Sequence, residues 1–177
     1  MNENERVLQE VKKKQQRAKD LGLPDLINDL YMNHIKYFPS WIKNNRGFVP
    51  NMVKNCTELN NKDEDNKKII LELNDKKYSF RFEERSFSMP DGEWCIHGDL
   101  ELSLNDEKCL AISLTYEGDK YYSSWKPSSV KAFKEKDWIK DFRELKKQID
   151  IDAKILEDKR KNDPNKINKL KADFDID

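Results

Sequence analysis

The sequence is short of the residues that most often carry chemistry. Two histidines, three cysteines and five glycines are spread over 177 positions. Cys56, Cys95 and Cys109 are odd in number and have no CxxC spacing, so neither a disulfide framework nor a zinc ribbon is expected, and a reducing cytoplasm is the expected location. The few glycines form neither GxxxxGK[ST] nor GxGxxG, so no phosphate-cradling loop of either type is present. No stretch approaches eighteen consecutive apolar residues, and Met1 to Glu5 is polar and acidic. Neither a membrane span nor a signal peptide is therefore expected. Net charge is missing as well: 34 basic residues balance 34 acidic ones, which argues against long-range steering of nucleic acid.

What the chain has is charge of both signs, 38% of all residues, interleaved with short apolar patterns. Its most regular stretch is Glu93 to Leu104. Trp94, Ile96, Gly98, Leu100, Leu102 and Leu104 fall on one side of a strand there, and Cys95, His97, Asp99, Glu101 and Ser103 on the other. Similar alternation at 68–73, 77–88, 109–116 and 120–125 gives five strands. The links between them, Asn74-Asp75, Pro90-Asp91-Gly92, Asn105-Asp106-Glu107 and Gly118-Asp119, are too short for parallel crossovers. The expected fold is therefore α+β, with a five-stranded antiparallel meander at 68–125. One face is covered by N-terminal and C-terminal helices and the other is polar.

Helices are expected at 4–21, closed by Leu21-Gly22-Leu23-Pro24, at 25–38, ended by Pro39, and at 137–160 with Asp137 as N-cap. Ser128 or Ser129 is expected to cap a short helical turn through Phe133. The polar run from Asn55 to Lys68 reads as a surface loop, and 162–177 as a polar, weakly helical tail on a single domain spanning 1–161.

Apolar residues facing each other across the strands fix an expected register, because a one-residue slip would turn a whole apolar set into water. Phe82 pairs with Leu100, Leu104 with Leu110, Leu73 with Tyr78, and Tyr116 with Tyr121. On the polar face Arg81 then opposes Glu101, Glu83 opposes Asp99, Arg85 opposes His97 and Phe87 opposes Cys95. Thr115 is expected beside Asp99, and Ser113 beside Glu101. Two carboxylates directly opposed repel, so Arg81 and Arg85, a metal ion or a shared proton must compensate them.

The candidate binding face is Arg81, Glu83, Arg85, His97, Asp99 and Glu101, with no catalytic residue, metal or cofactor assigned. It suggests a non-catalytic cytoplasmic module of the inhibitor, immunity or complex-subunit kind, whose partner is another protein. Two alternatives compete. One is a metal-dependent hydrolase centred on Glu83, Asp99 and His97. The other is a single-strand nucleic-acid binder using Lys120 to Lys126, where aromatic and basic residues interleave. Cys95, His97, Asp99 and Cys109 could be drawn as a zinc set on one face, but alternate residues of a strand run parallel and do not converge. His34 reads as a histidine at the edge of the core.

Overall fold

The computed structural model describes residues 2–44, 50–60, 66–92, 94–118, 123–132 and 138–163. It contains α-helices α1 (Glu3–Asp20), α2 (Leu23–Asn33) and α3 (Phe38–Asn44), strands β1 (Val53–Asn60), β2 (Asn66–Leu73), β3 (Lys76–Ser88), β4 (Trp94–Leu104), β5 (Glu107–Gly118) and β6 (Ser123–Ala132), and α4 (Trp138–Lys161). The strands form one antiparallel meander of six, in chain order. The architecture is α+β, with a sixth strand added to the five expected.

The sixth strand is β1, which lies where the sequence suggested a polar loop. It is an edge strand. Val53 is buried and Cys56 half-buried, but the strand has few other apolar residues to reveal its alternation. At the opposite edge, β6 continues through the segment expected to make a helical turn at Ser128. Pro127 misled that expectation, although proline is tolerated on an edge strand, where no neighbour needs its N–H. A bulge absorbs the irregularity: Ser113 faces Ser129 and Leu114 faces Pro127, so Ser128 is the extra residue. The Ser128 hydroxyl donates to the Ser113 carbonyl at 3.0 Å.

The β3–β4 register agrees with the expected pairing throughout, including Phe82 with Leu100. Other registers differ by an even number of residues, which keeps the paired apolar residues on one face. Tyr78 faces Leu71 instead of Leu73, and Leu110 faces Leu102 instead of Leu104. Turn chemistry explains both differences. Asn74-Asp75 and Asn105-Asp106 have positive φ at both residues (49° and 62°, 49° and 65°), the two-residue hairpin geometry that Asn and Asp tolerate. A bulge between Leu102 and Ser103 then takes up the remaining residue, and Cys109, expected on the polar face, is buried beside Leu110. Tyr116 pairs with Trp125, while the expected primed turn at Gly118-Asp119 falls partly outside the described residues.

Glycine at 98 has a packing reason. A Cβ there would lie 2.6 Å from the Phe82 ring and 3.0 Å from that of Trp125, two rings that meet edge to face across the space. Trp94, expected on the same covered face, is 72% exposed because it stands at the hairpin tip.

Helix boundaries follow local chemistry. Asn2 and Glu5 form a reciprocal capping box on α1. Gly22 ends α1 in the left-handed conformation (φ 64°) and also serves as the N-cap of α2, which starts two residues early with Pro24 in its first turn. Helix 25–38 is in fact broken at His34. A 3₁₀ turn at Ile35–Tyr37 follows, and Pro39 sits in the first turn of α3, where its missing N–H costs nothing. The C-terminal helix agrees with 137–160 within one residue at each end, while Asp137, Phe133 and the tail from 164 lie outside the described residues.

The buried layer joins Ile27, Leu30, Tyr31 and Ile35 with Trp138, Phe142, Leu145 and Ile149. These lie over Ile69, Leu71, Tyr78, Phe80, Leu100, Leu102, Leu110 and Ile112. Two carboxylates are buried among the described residues, Asp152 on α4 and, against the sheet, Asp141, only 6% exposed. Asp141 accepts from Tyr78 Oη at 2.7 Å, Lys76 Nζ at 2.9 Å and Asn74 Nδ2 at 3.3 Å. Burial pushes its pKa up, but the three donors and the Lys76 charge outweigh that and hold it below the ordinary aspartate range.

Leu102→Ala should cost about 2–5 kcal/mol, whereas Ser103→Ala, on the open face, should cost roughly 0.5 kcal/mol or less in denaturant titrations. Asp141→Asn should cost about 1.5–3 kcal/mol at neutral pH, where the wild-type carboxylate is charged. A depressed folded pKa gives stability that is present above the ordinary aspartate range and lost as pH falls through the folded value. The gap between wild type and Asp141→Asn, followed by urea titration at descending pH, should therefore close in acid.

Candidate functional site

The same alternation that fills the core orders the opposite face into rows. Glu83, Asp99, Ser113 and Ser129 stand directly opposite one another across β3, β4, β5 and β6. One flanking row runs Arg81, Glu101, Ala111, Lys131, and the other runs Arg85, His97, Thr115, Lys126. A line of carboxylates and hydroxyls is thus bordered by rows with a cation at each end. All six candidate residues lie on this face. Thr115 and Ser113, however, stand beside His97 and Asp99 instead of Asp99 and Glu101, a consequence of the tighter β4–β5 turn.

The opposed carboxylates are compensated by neighbours. Arg85 Nε donates to Glu83 Oε1 at 3.0 Å, Arg81 Nη2 lies 3.7 Å from Glu83 Oε2, and Arg85 Nη2 lies 4.0 Å from Asp99 Oδ2. Ser113 Oγ donates to Asp99 Oδ1 at 2.9 Å. The hydrogen bond from Arg85, with the charges of Arg85 and Arg81, outweighs desolvation and lowers the Glu83 pKa, so Glu83 is a carboxylate at neutral pH. Glu101 is held by Lys108 Nζ at 2.7 Å. The rows enclose a shallow polar cleft of about 220 Å³, to which β6 contributes Ser129 and Lys131.

His97 lies against an aromatic ring of β3. Its ring stacks on Phe87 with centroids 5.2 Å apart and planes 12° from parallel. Among the described residues, no three His, Cys, Asp or Glu side chains are grouped so that they could hold a metal ion. The drawn zinc set is also divided, since Cys109 is buried and Cys95 half-buried on the open side. In the nucleic-acid alternative the key aromatic is already occupied. Trp125 packs edge to face on Phe82 at 5.4 Å and Tyr116 at 5.2 Å, and Lys126 is paired with Glu117 at 2.5 Å. Residues 119–122 of that stretch lie outside the described residues.

Lys108, Ser129 and Lys131 were not found by sequence reasoning. Alternation of Ser129 and Lys131 with Val130 and Ala132 was the available signal, and Pro127 concealed it. A second cleft, about 290 Å³ and largely apolar, opens between α4 and the 3₁₀–α3 corner, lined by His34, Tyr37, Trp41, Ile149 and Leu156. His34 is half-buried at its rim, as expected of a core-edge histidine, with its pKa lowered by desolvation and by the Lys146 charge.

Glu83→Gln should leave the urea midpoint nearly unmoved, since exposed ion pairs contribute little. Arg85→Ala should cost more than Glu83→Gln, because it leaves Glu83 and Asp99 facing each other with less compensation; urea titrations of both variants check the order. No protein-family model matches the chain, and no curated protein or solved structure matches it.

Proposed function

We propose that this chain is a non-catalytic protein-binding or accessory module, of the inhibitor, immunity or complex-subunit kind, whose binding surface is the open sheet face and the β3–β4 tip. The observation that carries this reading is the exposed apolar group at that tip. Trp94, Phe87 and Met89 are all exposed at the end of a long hairpin, Phe87 on the side of Arg85 and the open face, Trp94 on the other side of the ribbon. Exposed apolar residues gathered at one tip mark contact sites, and tryptophan and arginine are the side chains that most often carry interface energy. A regular two-stranded arm also presents them with little flexibility to lose on binding.

The compensated carboxylates support the same reading. A hydrolase site would need a carboxyl with raised pKa, or carboxylates left open to an ion, whereas Glu83 is held ionised by arginines. The three free thiols fit a reducing compartment, for which the cytoplasm is our proposal. No helix among the described residues is long and apolar enough to cross a membrane.

Affinity capture from the native host with the purified chain as bait tests the proposal. One partner should be retained by wild type and by a Lys147→Ala control, and lost with Trp94→Ala at unchanged Tm and with Arg85→Glu while the domain stays folded. Millimolar Mn²⁺ or Mg²⁺ should leave Tm unmoved. A rise in Tm that disappears in both Glu83→Gln and Asp99→Asn would overturn the module reading in favour of a metal-dependent enzyme, because a ligand specific to the folded state stabilises it by mass action.

A further inference from the structure

Helix α1 is anchored only at its end. Ala18 is its single buried residue and Gln15 is half-buried, while every residue from Glu3 to Lys14 is exposed. The exposed part nevertheless carries apolar side chains, with Val7, Leu8 and Val11 at 56%, 54% and 42% exposure. Leu8, Val11, Gln15 and Ala18 follow the three-and-four spacing of a coiled-coil seam, of which the body covers the last part and leaves the first part open. Such a short helix is marginal in water from its caps alone, so an apolar seam running off the domain implies a partner that covers it.

The charges beside the seam select that partner. Glu5, Lys12 and Lys19 flank it on one side, and Val7 and Lys14 on the other. If two copies of α1 lie antiparallel with Leu8 of each opposite Val11 of the other, Glu5 of each copy faces Lys12 of the other. The contact is then self-complementary about a two-fold axis. A parallel pair would instead set Lys14 against Lys19 and lose both attractive pairs. The wider distribution agrees on balance: Glu3, Glu5 and Glu10 with one cation, Arg6, lie in the first half of the helix, and Lys12, Lys13, Lys14, Arg17 and Lys19 with one anion, Asp20, in the second. Opposed helix dipoles add to this preference. Lys12 has no ion-pair partner among the described residues.

We infer that α1 is a homodimerisation element, pairing antiparallel with α1 of a second copy through Leu8 and Val11, with Glu5–Lys12 pairs across the two-fold. This contact is separate from the open sheet face and does not depend on what that face binds. Because the seam is short, the association is weak and concentration-dependent.

Sedimentation velocity on the full chain across a dilution series tests it. Wild type should pass from monomer to dimer as concentration rises, and Leu8→Glu should stay monomeric with the domain still folded. Lys12→Glu and Glu5→Lys should each weaken the dimer about tenfold when alone, by placing like charges opposite each other. Mixed in equal amounts, the two variants should form a heterodimer of near wild-type strength. That rescue separates pairing from damage to the capping box, since Glu5→Lys lacks the box in the mixture as much as alone; circular dichroism records helicity in parallel. A wild type that is monomeric throughout, or a mixture that fails to pair, would overturn the inference. So would a Leu8→Glu variant that dimerises normally but no longer binds anionic phospholipid vesicles that the wild type binds.

Discussion

The carboxylate of Asp141 registers the helical layer against the sheet. Apolar contacts between α4 and the strands are non-directional and would tolerate sliding by a turn. A buried charge does not tolerate it. Asp141 needs its three donors, which come from the β2–β3 turn and the two strand positions after it, so only one placement of α4 leaves it satisfied. That placement brings Phe142 edge-on to both Tyr78 and Phe80, with centroids 4.9 and 5.6 Å away. It also requires the tight Asn74-Asp75 turn, because a longer loop would carry Asn74 and Lys76 out of reach. Turn chemistry, helix position and aromatic packing are thus consequences of one another.

The degree to which each element was legible follows from how many constraints its residues satisfy at once. In β3 and β4, apolar residues on one face and paired charges on the other call for the same register, and the pairs Arg81–Glu101, Glu83–Asp99 and Arg85–His97 are found as expected. Elsewhere only the face was determined. Alternation has period two, so it is blind to slips of two residues, and those slips depend on whether Asn-Asp makes the whole turn or part of it. Edge strands were the least legible. β1 needs only its inner side to be apolar and has few residues to show it, and β6 contains a proline that an interior strand would exclude. Pro39 and Trp94 illustrate a third difficulty. A proline begins helices as readily as it ends them, and alternation says which face a residue takes but not whether that face is covered at its position.

The open face balances its charges through arrangement instead of excess charge of one sign. Like-signed neighbours across a ladder are unfavourable, and Glu83 opposite Asp99 is such a pair. Placing arginines two residues before and after Glu83 on β3 puts a guanidinium on either side of the carboxylate row, and Ser113 supplies a neutral donor to Asp99 from the far side. The result is a surface satisfied within itself, with Lys131 and Ser129 at its margin. A face of this kind can exchange its internal pairs for equivalent pairs with a patterned partner. Specificity would then come from register more than from net charge.

The same economy distinguishes the two kinds of exposed apolar residue in the molecule. At the hairpin tip Trp94 and Phe87 project from a framework whose backbone is fully paired across β3 and β4, so their exposure costs the fold nothing structural. Along α1 the exposed Val7, Leu8 and Val11 belong to an element that has little else to hold it beyond its caps and its last turn. On the proposed reading, the hairpin would meet a partner without changing shape. The helix is different, because burying its seam would also stabilise the conformation that presents the seam. Its occupancy should therefore be coupled to its own helicity, while the hairpin behaves as a rigid epitope whether or not it is bound.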